Sequence, residues 1–244
     1  MSGLDAYLTE LVRRLREVLG ERLVGAWLLG SGALGDFDPE RSDVDVQAVS
    51  SEPVPLHHRR RLVEALSHEA LACPVRGLEL VLYARQDLTG PEGPAFGLNL
   101  NTGPRTERHV AFDPADDPRF WFVIDLSIAA QRSRPLAGPP AEAVLPALPR
   151  PLVLAALREA LEWYERNGPS GAETVLAACR SLAWASDGRW RSKSEGAEWA
   201  RAHLPDAGVV ERALALRAGT PERPLTAGEV AGVLAAARAG LRAR

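Results

Sequence analysis

The sequence predicts an α+β fold in two parts, a small mixed sheet with helices followed by an all-helical bundle. In the first part, apolar runs of strand length alternate with helical patterns. The stretch PLAGPPAEAVLPALPRP, residues 135–151, is rich in proline and typical of a domain linker. Every pattern after it is helical. We therefore expect two domains, at residues 1–148 and 149–244.

The elements follow from the spacing of apolar residues. Residues 4–19 carry them at helical spacing, with Arg and Glu on the other face. Strands are predicted at residues 23–29, 43–49, 78–83 and 96–100, and helices at 56–71 and 117–131. In the second domain, helices are predicted at residues 152–166, 172–186, 194–204, 209–217 and 227–241. Thr226 is available to cap the last of these.

Composition excludes several classes of protein. The net charge of −3 argues against a broad basic surface, so we expect no nucleic-acid partner. No apolar run approaches the ~20 residues of a membrane span, so we expect no membrane partner. Cys73 and Cys179 lie in apolar surroundings and are interpreted as reduced core residues of a cytoplasmic protein. Without a Cys/His cluster, zinc is not expected.

The stretch WLLGSGALGDFDPERSDVDVQAV, residues 27–49, contains the chemistry. Asp43 and Asp45 are two apart on a predicted strand and therefore face the same side. Gly30 permits close backbone approach to a ligand, and Ser31 offers a hydroxyl and an N–H to a phosphate. Paired carboxylates suit Mg²⁺, which also binds phosphate oxygens. Glu79, on the next predicted strand, is a candidate third carboxylate.

Each of these features has an ordinary alternative when taken alone. Gly-Ser is common in turns, Asp-x-Asp is common on solvated strand edges, and an isolated Glu79 is compatible with a surface position. The order strand, Gly-Ser, loop, SDVDV, helix, and strand with one Glu is more specific than its parts. This order favours a metal-dependent phosphate site.

The segment GSGALGDFDPERSDVDVQAV, residues 30–49, resembles the signature of the nucleotidyltransferase superfamily. Within that superfamily, the chain is similar to the aminoglycoside adenylyltransferases that modify streptomycin and spectinomycin. The resemblance continues through residues 75–83, 125–142 and 174–205, so it covers nearly the whole chain and is weakest at the two ends. It implies an N-terminal nucleotidyltransferase domain and ATP as co-substrate.

The resemblance also implies roles for individual residues. Asp43 and Asp45 match magnesium ligands, and Glu79 matches the catalytic base, which also helps to hold metal. Near the triphosphate, the matching residues are Gly30, Ser31 and Ser42 in the first domain and Arg180 and Lys193 in the second. A small-molecule acceptor would bind between the domains of a monomer. Two alternatives stay open in the second domain, a salt bridge for Arg180 and a solvated position for Lys193.

The chain departs from the streptomycin-modifying members at the expected acceptor pocket. The loop RNGPSGAE, residues 166–173, holds a single acid where those members have several. A tryptophan expected after the catalytic strand is missing from FGLNLNTG, residues 96–103. Leu216 stands where a tyrosine near the nucleotide base is expected. Because polycationic drugs are bound through carboxylates, these changes favour spectinomycin over streptomycin.

The sequence therefore predicts a Mg²⁺-dependent enzyme that transfers AMP from ATP to a hydroxyl of an aminoglycoside or aminocyclitol, giving antibiotic resistance. One alternative keeps this chemistry but uses a metabolite or a protein hydroxyl as acceptor. Another is a non-catalytic nucleotide-binding module. The three carboxylates Asp43, Asp45 and Glu79 argue against the latter, because a relic has no reason to keep them together.

Overall fold

The computed structural model describes residues 3–168, 171–204 and 206–243. The chain forms two compact units, Met1–Leu148 and Pro149–Arg244. The first contains a mixed sheet with helices and the second is helical, so the predicted α+β fold is confirmed. Across the described residues, no helix combines the length and the apolar character needed to span a membrane.

In the described part of the N-terminal unit, six strands form one sheet in the order β5-β4-β3-β2-β1-β6. Strand β2 pairs in parallel with β3, and all the other neighbours are antiparallel. The strands are β1 (Leu23–Leu28), β2 (Val44–Ser50), β3 (Leu78–Ala84), β4 (Phe96–Gly103), β5 (Thr106–Ala111) and β6 (Arg134–Ala137). The helices are α1 (Gly3–Leu19), α2 (Ser31–Leu34), α3 (Leu56–Leu66) and α4 (Arg119–Gln131).

The two faces of the sheet differ in chemistry. One face packs against α1 and α3 in an aliphatic core that includes Leu11, Leu62, Val46 and Leu80. On the other face, the rings of Phe96 and Phe122 bring α4 against β4, with centroids 4.6 Å apart. Asp45 and Glu79 alternate with the residues of the aliphatic core along β2 and β3, so they belong to this second face. The candidate site therefore lies on the face opposite α1 and α3.

Several predicted elements differ from the observed ones. The helix predicted at residues 56–71 ends at Leu66, and Ser67 adopts an extended conformation. Strands β5 and β6 were not predicted. Strand β6 lies partly inside the segment interpreted as a linker, because an edge strand tolerates proline at Pro135. Cys73 and Cys179 are both buried and free.

The C-terminal unit consists of helices whose starts follow their capping residues. Ser192 caps α7 and Thr226 caps α9, each in a reciprocal arrangement with the glutamate three positions later. Helix α6 is largely buried and packs against α7, α8 and α9. The helices are α5 (Arg150–Asn167), α6 (Gly171–Asp187), α7 (Lys193–Arg201), α8 (Ala207–Arg217) and α9 (Ala227–Arg242).

Candidate active site

The Gly-Ser turn between β1 and α2 lies directly against one of the predicted metal ligands. Gly30 has φ +62° and ψ −148°, a conformation that side chains other than glycine's rarely adopt. A Cβ atom built at Gly30 would lie 1.9 Å from Oδ2 of Asp45. Glycine is therefore required here both for the backbone angle and for the close approach. Ser31 follows as the first residue of α2.

The register of the parallel strands brings two of the three predicted carboxylates side by side. Asp45 of β2 is the direct partner of Glu79 of β3. Because neighbouring strands are about 4.8 Å apart, the two side chains project from adjacent positions on one face. Asp43 lies just before β2, where the N–H of Val44 donates to the carbonyl of Gly77 at 2.8 Å.

Asp43 is held by two residues that the sequence did not point to. Nη1 of Arg76 donates to Oδ2 of Asp43 at 3.0 Å, and Oγ1 of Thr106 donates to Oδ1 at 3.2 Å. Gly77 makes the second contact sterically feasible, because a Cβ there would lie 2.2 Å from Oγ1 of Thr106. The side chain of Asp43 is only 13% exposed. Its orientation is thus set by Arg76 on one side and by strand β5 on the other.

Ser42 is buried, and its hydroxyl closes the loop that precedes Asp43. Its Oγ accepts a hydrogen bond from the N–H of Asp38 at 3.0 Å, while its own N–H donates to the carbonyl of Asp38 at 2.7 Å. These contacts give Ser42 a role in shaping the loop. Its predicted position near the triphosphate stays a prediction.

The donor set fits magnesium. Asp43, Asp45 and Glu79 supply hard oxygen atoms, and the carboxylate of Asp45 packs where a side chain at position 30 would otherwise lie. Over the ranges that the structure describes, no group of three or more His, Cys, Asp or Glu side chains is arranged to hold a metal ion. Magnesium does not need such a group, because proteins bind it through one or two carboxylates together with substrate phosphates.

The same face of the sheet carries further polar residues in line with the carboxylates. Glu79 is the register partner of Asn101 on β4, and Asn101 is the partner of His109 on β5. The row across β2 to β5 therefore reads Asp45, Glu79, Asn101, His109. Sequence reasoning did not find Asn101 or His109, because β5 was not predicted and the register of β4 was unknown.

Asp117, just before α4, fixes His109. Nε2 of His109 lies 2.9 Å from Oδ1 and 3.1 Å from Oδ2 of Asp117. Nδ2 of Asn99 donates to Oδ2 of Asp117 at 3.0 Å, and Asn99 is buried. A His–Asp pair with a third orienting group is thus present on the face that carries Asp45 and Glu79.

The two cations predicted to bind phosphate both lie in the C-terminal unit. The guanidinium of Arg180, on α6, lies over the ring of Trp190, 5.8 Å from its centroid. Arg180 forms no ion pair with any residue that the structure describes, so the alternative of a local salt bridge is not observed among these residues. A Cβ at Gly196 would lie 2.8 Å from Cα of Arg180, so Gly196 lets α7 pack closely against α6. The phosphate contact itself stays a prediction.

Lys193 is the first residue of α7 and forms an ion pair with Glu173 on α6. Glu173 also accepts a hydrogen bond from Nη1 of Arg217 at 2.9 Å. Burial raises the pKa of Glu173, but the two neighbouring cations outweigh this effect, so the pKa lies below the usual value. The lysine is therefore partly buried and paired rather than solvated.

The other acids near the loop at residues 166–173 also face cations. Glu165 pairs with Arg238 on α9, and Glu162 lies 4.0 Å from Arg166. Together with Glu173, the nearest carboxylates of this region are thus balanced by positive charges within the C-terminal unit.

Two comparisons relate the chain to known proteins. Residues 143–239 match the family described as aminoglycoside adenylyltransferase, C-terminal domain. In this region the chain is similar to aminoglycoside adenylyltransferases. This match supports the predicted family and the predicted enzyme class, an adenylyltransferase.

Among solved structures, the chain is similar to the crystal structure of spectinomycin adenyltransferase AAD(9) from Enterococcus faecialis with ATP and spectinomycin. The TM-score is 0.72 at 19% sequence identity, covering 98% of this chain and 100% of that chain. At this identity the match establishes the fold, and it extends over both units. No curated protein sequence matches the chain.

Proposed function

We propose that this adenylyltransferase depends on Mg²⁺, transfers AMP from ATP to a hydroxyl of an aminocyclitol, and prefers spectinomycin to streptomycin. The observation that carries the proposal is the register of β2 and β3, which places Asp45 beside Glu79 under the backbone of Gly30. The similarity to an adenyltransferase whose structure was solved with ATP and spectinomycin supports the same acceptor class.

In the proposed reaction, Glu79 accepts the proton of the acceptor hydroxyl as its oxygen attacks the α-phosphorus of ATP. A new oxygen–phosphorus bond forms, the bond to the β-phosphate oxygen breaks, and pyrophosphate leaves. Mg²⁺, when bound, neutralises the phosphate charge and orients the α-phosphate. Asp43 and Asp45 would hold the metal, and Arg76 and Thr106 keep Asp43 in position through their contacts of 3.0 and 3.2 Å.

Cations of the C-terminal unit complete the proposed phosphate site. Arg180 and Lys193 donate to the triphosphate, alongside Ser31 and Ser42 of the N-terminal unit. Support for Arg180 comes from its lack of an ion pair with any described residue, since a guanidinium over a ring keeps its donors for a phosphate. Lys193 would exchange Glu173 for phosphate, and Arg217 would remain as the partner of that carboxylate.

The preference for spectinomycin rests on the acids near the loop at residues 166–173. Glu162, Glu165 and Glu173 each lie beside a cation of the same unit, so they offer little unbalanced negative charge to a drug. Streptomycin carries guanidinium groups that need carboxylate partners. A compact aminocyclitol with fewer charges needs fewer carboxylate partners, so it loses less binding free energy in a site that offers few of them.

The test compares pyrophosphate release with spectinomycin and with streptomycin, using ATP and Mg²⁺, and identifies the product by its added AMP mass. We expect turnover with spectinomycin, and a loss on the order of 10³-fold or more in Asp45→Asn. The matched control is Glu40→Gln, which removes a carboxylate from the loop before β2. The side chain of Glu40 is 80% exposed, so we expect this variant to retain activity. Efficient turnover of streptomycin with little of spectinomycin would contradict the preference, and near-native activity of Asp45→Asn would contradict the metal assignment.

A further inference from the structure

The polar row on the sheet continues beyond the groups that the proposed chemistry uses. Asp45 and Glu79 account for metal binding and proton transfer, whereas Asn101 and His109 lie one and two strands further along the same row. Strands in a sheet are about 4.8 Å apart, so His109 stands about 10 Å from Glu79 at the level of the backbone. A proton acceptor at this distance does not share the hydroxyl bound by Glu79.

We propose that Asn101 and the His109–Asp117 pair bind the acceptor at the end remote from its reacting hydroxyl, and that His109 accepts a hydrogen bond there from a hydroxyl or ammonium group. This assignment rests on the proposed function and names the part of the N-terminal unit that selects the acceptor. It makes His109 and Asn101 specificity-determining residues and Asp117 a positioning residue.

The tautomer of His109 decides which kind of group it recognises. Nε2 faces both carboxylate oxygens of Asp117, at 2.9 and 3.1 Å, so this nitrogen carries the proton in the neutral ring. Nδ1 then holds a lone pair, and no residue in the described part of the chain donates to it. The side chain is 43% exposed, so a ligand can reach this atom. A lone pair beside a carboxylate favours a donor, and favours a cationic donor most.

Asp117 is built to hold this geometry. Its side chain is 13% exposed, and the buried Asn99 donates to Oδ2 at 3.0 Å. The contact with Asn99 therefore orients the carboxylate of Asp117 independently of His109.

The alternative is a purely structural pair that ties β5 to the segment before α4. The two roles differ in what they change. A structural role lowers thermal stability when it is lost, without a selective effect on the acceptor. A binding role raises KM for the acceptor and leaves KM for ATP unchanged, because the triphosphate residues lie elsewhere.

The experiment measures kcat and both KM values with spectinomycin, ATP and Mg²⁺ for His109→Ala, Asn101→Ala and Asp117→Asn, with melting temperatures. The control is Asp116→Asn, an exposed carboxylate next to Asp117 that lies outside the row. We expect KM for spectinomycin to rise about tenfold in His109→Ala, which corresponds to one lost hydrogen bond with partial charge assistance. KM for ATP should stay within about twofold, and the control should match the wild type.

His109→Gln tests the geometry directly, since its amide can donate to Asp117 and still present an oxygen to the ligand. We expect it to recover part of the loss seen in His109→Ala. Unchanged KM for spectinomycin in folded His109→Ala and Asp117→Asn would overturn this inference while the proposed function stands. Wild-type protein that binds ATP but adenylylates no aminocyclitol would overturn the proposed function and, with it, this assignment.

Discussion

Replacing Gly30 with alanine tests how closely the Gly-Ser turn is fitted to the metal ligand. The new Cβ would start 1.9 Å from Oδ2 and 2.8 Å from Cγ of Asp45, whereas real Cβ contacts stay above 3.0 Å. The carboxylate or the turn must therefore move by about 1 Å, and a misplacement of that size can lower turnover about 10²-fold. The backbone at φ +62° and ψ −148° lies in a region that essentially only glycine populates, which adds strain of about 1–3 kcal/mol for alanine.

Gly35→Ala is the matched control. Gly35 ends the same short helix α2 with φ +77°, and a Cβ there meets no atom within 4 Å. The Gly35→Ala substitution therefore introduces backbone strain at a positive φ without a contact with Asp45. We expect both variants to melt a few degrees below the wild type, because about 1 kcal/mol shifts the melting temperature by about 2–4 °C in a chain of this size. Only Gly30→Ala should lose turnover.

Two assays separate these effects. Mn²⁺ binding in the presence of ATP, followed by electron paramagnetic resonance, reports on the carboxylates, and pyrophosphate release with spectinomycin reports on turnover. We expect Gly30→Ala to weaken Mn²⁺ binding and to reduce kcat about 10²-fold, with Gly35→Ala near the wild type in both. A folded Gly30→Ala protein with unchanged Mn²⁺ affinity and kcat would refute the reasoning.

Three further predictions concern other charged groups. Glu79→Gln should bind ATP normally but transfer AMP roughly 10²–10⁴-fold more slowly, and equal losses of ATP affinity and rate would instead indicate a structural role. Arg180→Ala and Lys193→Ala should each weaken ATP binding about tenfold or more in calorimetry, and unchanged affinity in Lys193→Ala would remove it from the site. The pKa of Glu173 is lower in the folded protein than its usual value of 4.5. Ionised Glu173 therefore stabilises the fold at pH values above 4.5, and this stabilisation is lost as the pH falls. Denaturant unfolding should therefore show a steeper loss below about pH 4.5 in the wild type than in Glu173→Gln, and identical slopes would contradict the pairing with Lys193 and Arg217.

The local pattern of the chain determined most of the architecture and part of the candidate site. Apolar periodicity identified α1, β1 to β4 and the helices of the C-terminal unit, because each pattern depends on neighbours within a few residues. Asp43, Asp45 and Gly30 were identifiable for the same reason, since strand alternation and the turn signal are local. Glu79 was a candidate third carboxylate because it lies on the next predicted strand, and the family resemblance added its role as catalytic base.

The tertiary structure decided which distant residues share the active face. The alignment of Glu79 with Asn101 and His109 depends on the register of three strands, and a shift by one residue would point each side chain to the opposite face. The contacts of Asp43 with Arg76 and Thr106 span 33 and 63 positions of sequence. Such pairings result from how the strands associate, and the alternation within a single strand carries no information about them. The sequence thus identified the carboxylates, and only the folded sheet showed what surrounds them.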